Sequence, residues 1–455
     1  MTYYEEPKRK LPAVEADVVV AGAGTSGVVA AIAAARQGAN TVLIEAKGYP
    51  GGLVVEGGTA LHSFFNLWKA FPGVERRQVV KGIPNEIIER VTEKGGTSGH
   101  AEMSGGYGFD SVCTAVDTEI YKLVAFEMLA EAGVKVMVNT LLVGAIKEGS
   151  TITGVIVESR SGREAVMARS FIDCTGYGDL AAYAGADFTE RNSGSMANSM
   201  GVGGVSVEGY HQFLQSYDAV GQYSEGLRSG KDGRIVRLTG NSSKLPADFV
   251  EEAQRIGMHL AMTTTHDDYF MFIKINYRMN ASPTDRDEVT KAELELRRRQ
   301  EKAIALIRKY LPGCEKAFIA RTSPVICTRR GRTISCDYDI TSEDVTEARH
   351  FADDIMAYGF HDEAPKFQVK NGGTYGVPYR ALCATGIDNL FVTGMMITSN
   401  SHAHNSTRNT VCCMGQGQGA GTAAALCAAE NLTARELPYG QLREALIAGG
   451  VHLEN

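Results

Sequence analysis

Three glycines in Gly22-Ala23-Gly24-Thr25-Ser26-Gly27 form a G-x-G-x-x-G pattern. It lies between an apolar run at 17–21 and an Ala-rich stretch at 26–38. That context gives the pattern chemical meaning. Gly22 permits a tight turn, Gly24 lets main chain approach a pyrophosphate, and Gly27 lets a helix pack close to a strand. The helix start then offers free N–H groups and the positive end of its dipole to an anion. Glu45 follows Gly27 by 45 − 27 = 18 positions, where a carboxylate accepts hydrogen bonds from both ribose hydroxyls of a dinucleotide. A 2′-phosphate would be repelled there, which disfavours NADP.

The second reactive constellation is the segment 401–408, with His402, His404, Asn405, three hydroxyls and Arg408. Histidine exchanges a proton near neutral pH. Arginine clamps a carboxylate or polarises a carbonyl. His402 and His404 alternate, so they need not face one way. An H-x-H pair without a third ligand nearby predicts no metal site. Arg329-Arg330-Gly331-Arg332 is a second anion-binding candidate, with Arg332 its substrate-side member. Cys412 and Cys413 read as packed thiols, since adjacent cysteines close only a strained disulfide. His266-Asp267-Asp268 reads as a solvated loop, and Arg297-Arg298-Arg299 as a solvated helix face.

These groups need a scaffold. Strand 17–21, helix 26–38 and strand 41–45 make a βαβ unit with a parallel pair. Helices are predicted from Pro84 and over 117–132. Strands are predicted within 134–146, 152–159 and 170–175, the last running into Gly176. After 190 the texture changes, with a charged helix at 285–310. It returns at the LFVTG of 390–394 and a Gly/Ala-rich helix at 417–430. The expected organisation is therefore α/β: a dinucleotide domain built from 1–189 and 371–455 around a parallel sheet, with an α+β cap or substrate domain inserted at 190–370. The βαβ unit alone does not separate NAD from FAD. A second glycine pair, Gly51-Gly52, and the late glycine-rich helix suit an extended cofactor touching both ends of the chain. A helix starting at 417 would aim its dipole at a flavin ring.

Composition narrows the classes. The chain has 455 residues and 46 − 53 = −7 net charge, a pI near 5.9 and a mean hydropathy of −0.13. It is globular, and a mildly acidic surface makes nucleic acid an unfavoured partner. Glycine is enriched, 51 of 455 or about 11% against about 7% usually. The nine cysteines contain no CxxC, which predicts reduced thiols and a cytoplasmic setting. The first residues lack the apolar core of a signal peptide. The uncharged stretch 18–35 is broken by glycines and is read as strand, turn and helix, so no membrane partner is expected.

Four segments carry a family resemblance: 16–45, 171–188, 320–345 and 377–425. The chain resembles FAD-dependent oxidoreductases related to the fumarate reductase and succinate dehydrogenase flavoproteins, with a glutathione-reductase-type FAD fold. The resemblance implies bound FAD and a cap over the flavin. It places Gly22, Gly24, Ser26 and Gly27 on the pyrophosphate, Glu45 on the ribose and the Val143 backbone near adenine. It places Thr175, Gly176 and Asp179 along the dinucleotide, and Gly394, Gly417, Gln418 and Gly421 near the flavin and ribityl chain. It also implies ligand contact at Tyr379 and Arg380. Met395 and Met396 stand where relatives often carry a charged residue. The expected activity is hydride transfer between flavin N5 and a small organic substrate, with His402 or His404 as acid/base and Arg408 as substrate anchor. No second G-x-G-x-x-G unit is present, so an external electron acceptor or donor would close the cycle. Action on a macromolecule such as tRNA, and a non-catalytic flavin-binding role, are the alternatives.

Overall fold

The computed structural model describes every residue except 1–5, 8, 58–65, 68–76, 105–111, 192, 360–366 and 455. Its organising element is a five-stranded sheet. The strands are β1 (Val18–Ala21), β2 (Thr41–Ile44), β3 (Lys135–Met137), β4 (Ser170–Asp173) and β5 (Leu390–Val392). They lie in the order β5-β4-β1-β2-β3, and every neighbouring pair is parallel. β1, β2, β4 and β5 are buried along their length. That explains why they read as continuous apolar runs: a parallel sheet is covered on both faces.

Helix α1 (Thr25–Arg36) follows β1, and helix α2 (Thr410–Glu430) crosses it. A Cβ on Gly417 would lie 2.2 Å from the Ser26 carbonyl oxygen, and one on Gly421 would lie 2.1 Å from that of Ala30. The two helices therefore meet main chain to main chain. The expected start at 417 is corrected here, since α2 begins seven residues earlier, at Thr410. Glycine costs a helix interior about 1 kcal/mol relative to alanine. At Gly417 and Gly421 the close crossing offsets that cost, so the glycines mark a contact rather than a helix end. The stretch 18–35 is indeed divided between β1 and α1, and among the described residues no helix is long and apolar enough to cross a membrane.

A second lobe is built on Gly194–Gly203, which pairs with Tyr269–Met279 on one side and with Phe318–Thr322 and Cys327–Thr328 on the other. Beside it lies a five-stranded sheet ordered Ala261–Thr263, Lys231–Gly240, Val220–Arg228, Ala101–Ser104 and Val112–Cys113. Two of its strands come from the first 189 residues. The helix Arg286–Tyr310, capped by the Asp285 carboxylate, packs across this lobe. The second core runs from Met196 to Ile326, whereas Ile334, Ile340 and Ile355 join the first. The first core includes Ala186 before the second begins at Met196, and the first resumes at Ile334.

Two charged segments differ from expectation because they find partners between elements. Arg297 donates to Asn198 Oδ1 (3.0 Å) and the Ser323 carbonyl (3.0 Å), and Arg299 donates to the Asn276 carbonyl (3.0 Å). Only Arg298 of that run is exposed. His266 reaches the Asp117 carboxylate, which also caps the helix Thr118–Glu131 by accepting from the amides of Glu119 (2.8 Å) and Ile120 (3.1 Å). This pair ties the second lobe to the first.

The hydrogen bond to the Asp117 carboxylate raises the His266 pKa. Burial works to raise that of Asp117, but His266 and the two amides outweigh it, and the net shift is downward. The contribution of His266 is complete below the ordinary imidazole value and fades as pH rises through the raised one. That of Asp117 is complete above the ordinary carboxylate value and fades as pH falls through the lowered one. His266 is half-exposed, so solvent keeps the effect modest. Replacing His266 by Gln is expected to flatten the loss of thermal stability as pH rises above the ordinary imidazole value, read by differential scanning calorimetry; an unchanged slope contradicts the latch. Gly421→Val is expected to cost about 3 kcal/mol or more in urea unfolding. Gly440→Ala, where a Cβ meets nothing within 4 Å, is expected to be neutral or slightly stabilising.

Candidate active site

The G-x-G-x-x-G turn is enclosed by main chain. Gly22 has φ +94° and donates to the Ile44 carbonyl at 2.7 Å. A Cβ on Gly22 would lie 2.6 Å from the Cys174 carbonyl oxygen, and one on Gly27 would lie 1.8 Å from that of Gly22. A Cβ on Gly24 would touch only the Cys174 carbonyl oxygen, at an ordinary 3.7 Å. Gly51 donates to the Ala23 carbonyl at 2.8 Å, and a Cβ on Gly52 would lie 2.8 Å from Gly24 Cα. The glycine pair therefore closes over the turn. No side chain caps α1, and its first turn carries no acid. The same holds for α2, whose cap position is Asn409. Two helix N-termini are thus left with unsatisfied amides and positive dipole ends.

Glu45 ends β2 beside this turn. Its Oε2 accepts from the Ala23 amide (2.7 Å) and its Oε1 from the Lys47 amide (2.9 Å). Burial raises its pKa, while those two amides oppose the rise. A carboxylate has about four acceptor sites, so two remain for ribose hydroxyls. The Glu45 carbonyl accepts from the Thr140 amide (2.9 Å), which starts the next strand alongside. In that strand Gly144 pairs with Ile156 and Leu142 with Val157. Val143 is the extra residue of a bulge, and a bulge leaves main-chain groups off the ladder. Thr175 donates through N and Oγ1 to buried Asp173 (3.0 and 2.8 Å) and accepts from the Asp179 amide (3.0 Å). Burial pushes the Asp173 pKa up to about 6 against these donors. Gly176 has open space where a Cβ would stand. This cradle fits a dinucleotide: amides without partners, main chain that approaches without side chains, and a carboxylate with acceptor capacity left.

Several expected contacts lie elsewhere. The buried Ser26 hydroxyl accepts from Thr393 Oγ1 at 2.8 Å, beneath the turn rather than over it. Gly394 donates to Gln416 Oε1 at 2.7 Å. Gly417 and Gly421 face α1. Gln418 is spent between the Ile83 amide (3.0 Å) and the Gly449 carbonyl (2.8 Å). Arg332 is held by Asp179 (2.8 Å) and the Tyr177 carbonyl (3.0 Å), so these two candidates occupy each other. Tyr379 is buried and donates to the Ala434 carbonyl at 2.7 Å. Arg380 pairs with Asp353 and lies 4.5 Å from the Tyr338 ring centroid. Tyr379 and Arg380 are committed to the core and its rim.

The 401–408 segment sits directly before α2. His404 Nε2 donates to the Arg329 carbonyl at 2.9 Å, and its Nδ1 is buried with no partner among the described residues. Burial, helped by Arg330, Arg408 and Arg191, pushes its pKa down to about 2. His404 is therefore neutral across working pH and presents a bare acceptor, which corrects the acid/base expectation for it. His402 stacks on Phe367 at 4.1 Å. Arg408 Nε donates to Asn405 Oδ1 at 3.4 Å. Arg330 is buried and donates to the Ser399 carbonyl at 2.7 Å.

The opposing wall was missed by sequence reasoning. Three side chains of the second lobe fasten it over 55–57, just past Gly52. Arg321 donates to the Val55 carbonyl (2.9 Å), Ser323 to that of Glu56, and Ser199 to that of Gly57 (3.3 Å). Cys327 Sγ would stand 1.8 Å from a Cβ on Gly57. Lys274 pairs directly across from Ser199, so both side chains rise from one sheet face. The available signal was a lysine inside the apolar run 270–275. All nine cysteines are unbridged, and burial raises the thiol pKa of both Cys412 and Cys413. Among the described residues no group of three metal-type ligands occurs.

No curated protein matches the chain by sequence. Solved structures with similar folds include a geranylgeranyl bacteriochlorophyll reductase-like protein from Thermoplasma acidophilum (15% identity, TM-score 0.45, 96% of this chain and 84% of that one). They also include the OxyS anhydrotetracycline hydroxylase from Streptomyces rimosus (12%, 0.49, 96% and 66%). A third is the myxobacterial chondrochloren halogenase CndH, described as an FAD-dependent halogenase (12%, 0.48, 95% and 78%). A family model described as FAD dependent oxidoreductase matches residues 17–446. That match spans nearly the whole chain, and the chain belongs to the FAD dependent oxidoreductase family.

Proposed function

We propose that this enzyme transfers a hydride between flavin N5 and a small organic substrate bound between the α2 N-terminus and the second lobe. The observation that carries the reading is the joint placement of two uncapped helix N-termini and Arg408 on one side, and the lobe strand bearing Lys274 on the other. When bound, FAD supplies a two-electron donor or acceptor.

The chain's own residues have distinct tasks. The amides around Gly24 and the α1 N-terminus hold the pyrophosphate, and Glu45 holds the ribose. The α2 N-terminus favours negative charge in front of it. Arg408 anchors the substrate through a guanidinium next to that terminus. His402 is the imidazole assigned to the proton, because His404 stays neutral. His404 is a positioning residue: its Nε2–H fixes the Arg329 main chain, and its Nδ1 accepts a donor from whatever occupies the site. A small-molecule substrate suits a cleft closed by Arg321, Ser323 and Ser199 better than a polymer does, and the net charge of −7 opposes tRNA. External electron exchange completes the cycle, since the second lobe contains no nicotinamide-type glycine turn.

Anaerobic bleaching or reoxidation of the bound flavin against a panel of small acids, alcohols and ketones tests this reading. A substrate that changes the flavin redox state in a single turnover is expected; a saturated panel with no change contradicts it. With that substrate, Arg408→Ala is expected to lower kcat/KM at least about 100-fold at unchanged flavin content. Glu45→Ala is expected to weaken FAD binding at least about tenfold, read by equilibrium dialysis. Equal affinity contradicts the ribose assignment.

A further inference from the structure

Lys274 lies on the strand Tyr269–Met279, in register with Ser199, on the sheet face that Ser199 and Cys327 turn toward Gly57. Its ammonium is largely enclosed and, among the described residues, makes neither a hydrogen bond nor an ion pair. The groups acting on it most strongly are Arg329, Cys327, Arg408 and Arg237: three cations and a thiol, with no carboxylate among them. His259, on an adjacent segment, is in turn held down by burial and then by Lys274, Arg237 and Arg329. An enclosed charge without a partner is costly, and like charges add to the cost. The Lys274 ammonium is stabilised when an anion from outside pairs with it.

We propose that the substrate carries an anionic oxygen group, a carboxylate or a phosphate, held by Lys274 from the lobe and by Arg408 from the α2 side. This assignment rests on the flavin-site reading above and adds the substrate's chemical class to it. The two cations approach from opposite walls, so the anion also joins the lobes. Lys274, rather than another arginine, makes the site titratable. Burial and the neighbouring arginines bring its pKa down to about 8. Anion affinity therefore falls as pH rises through that value and the ammonium loses its proton.

The test uses holoprotein whose FAD content is measured first. Calorimetric titrations with malonate, inorganic phosphate and neutral malonamide are run at constant ionic strength. At least one anion is expected to bind and malonamide is not, with the tighter anion showing which oxygen group the site takes. Lys274→Met is expected to weaken that anion at least about tenfold without loss of FAD. Lys274→Arg is expected to restore binding and to remove the decline near pH 8. Binding of malonamide as tight as malonate, no binding of either anion, or native affinity in Lys274→Met would each overturn the proposal. Native protein that takes up no FAD would overturn the flavin-site reading itself, and the two failures are distinguishable.

Discussion

The close approach of main chain to main chain around Gly24 is the constraint on which the rest of this structure depends. Gly27 meets the Gly22 carbonyl, Gly22 meets that of Cys174, Gly52 meets Gly24, and Gly417 meets the Ser26 carbonyl. None of these four crossings has room for a Cβ. Their joint effect is to bring β1, β4, the loop after β2 and helix α2 to one point. Helix amides and dipoles then converge there without intervening side chains. The same packing fixes where Arg408 stands, because Arg408 precedes α2 and α2 is locked onto α1.

Charge is distributed against the average. The chain is net negative, yet Arg329 and Arg408 act on Lys274, and Arg330 and Arg408 on His404. A low-dielectric cleft of one sign focuses field lines and concentrates an oppositely charged ligand. The burial that creates this field also removes His404 from proton chemistry. It leaves that ring as a neutral acceptor whose one N–H is fixed on the Arg329 carbonyl. One physical cause thus separates two histidines that the sequence presents as equivalents.

The dinucleotide half of the site was legible because its chemistry is local. Gly22 to Glu45 lie within one βαβ unit, where strand, turn and helix must follow in order. The helix at 417–430 was misjudged at its start, because glycine weakens a helix in isolation. The tertiary contact that reverses this, to Ser26 and Ala30, lies almost 400 residues away. Arg332, Tyr379 and Arg380 were plausible ligands by type, and their partners Asp179, the Ala434 carbonyl and Asp353 could not be read from sequence. Lys274 carried a signal, a lysine inside the apolar run 270–275, but only the register with Ser199 shows which face it shares.

Release of bound nucleotide from the purified protein by denaturation, followed by its chromatographic identification and quantification, tests the central claim most directly. One FAD per chain is the predicted result. Stoichiometric NAD or FMN, or a protein that remains empty after incubation with FAD, would contradict the account.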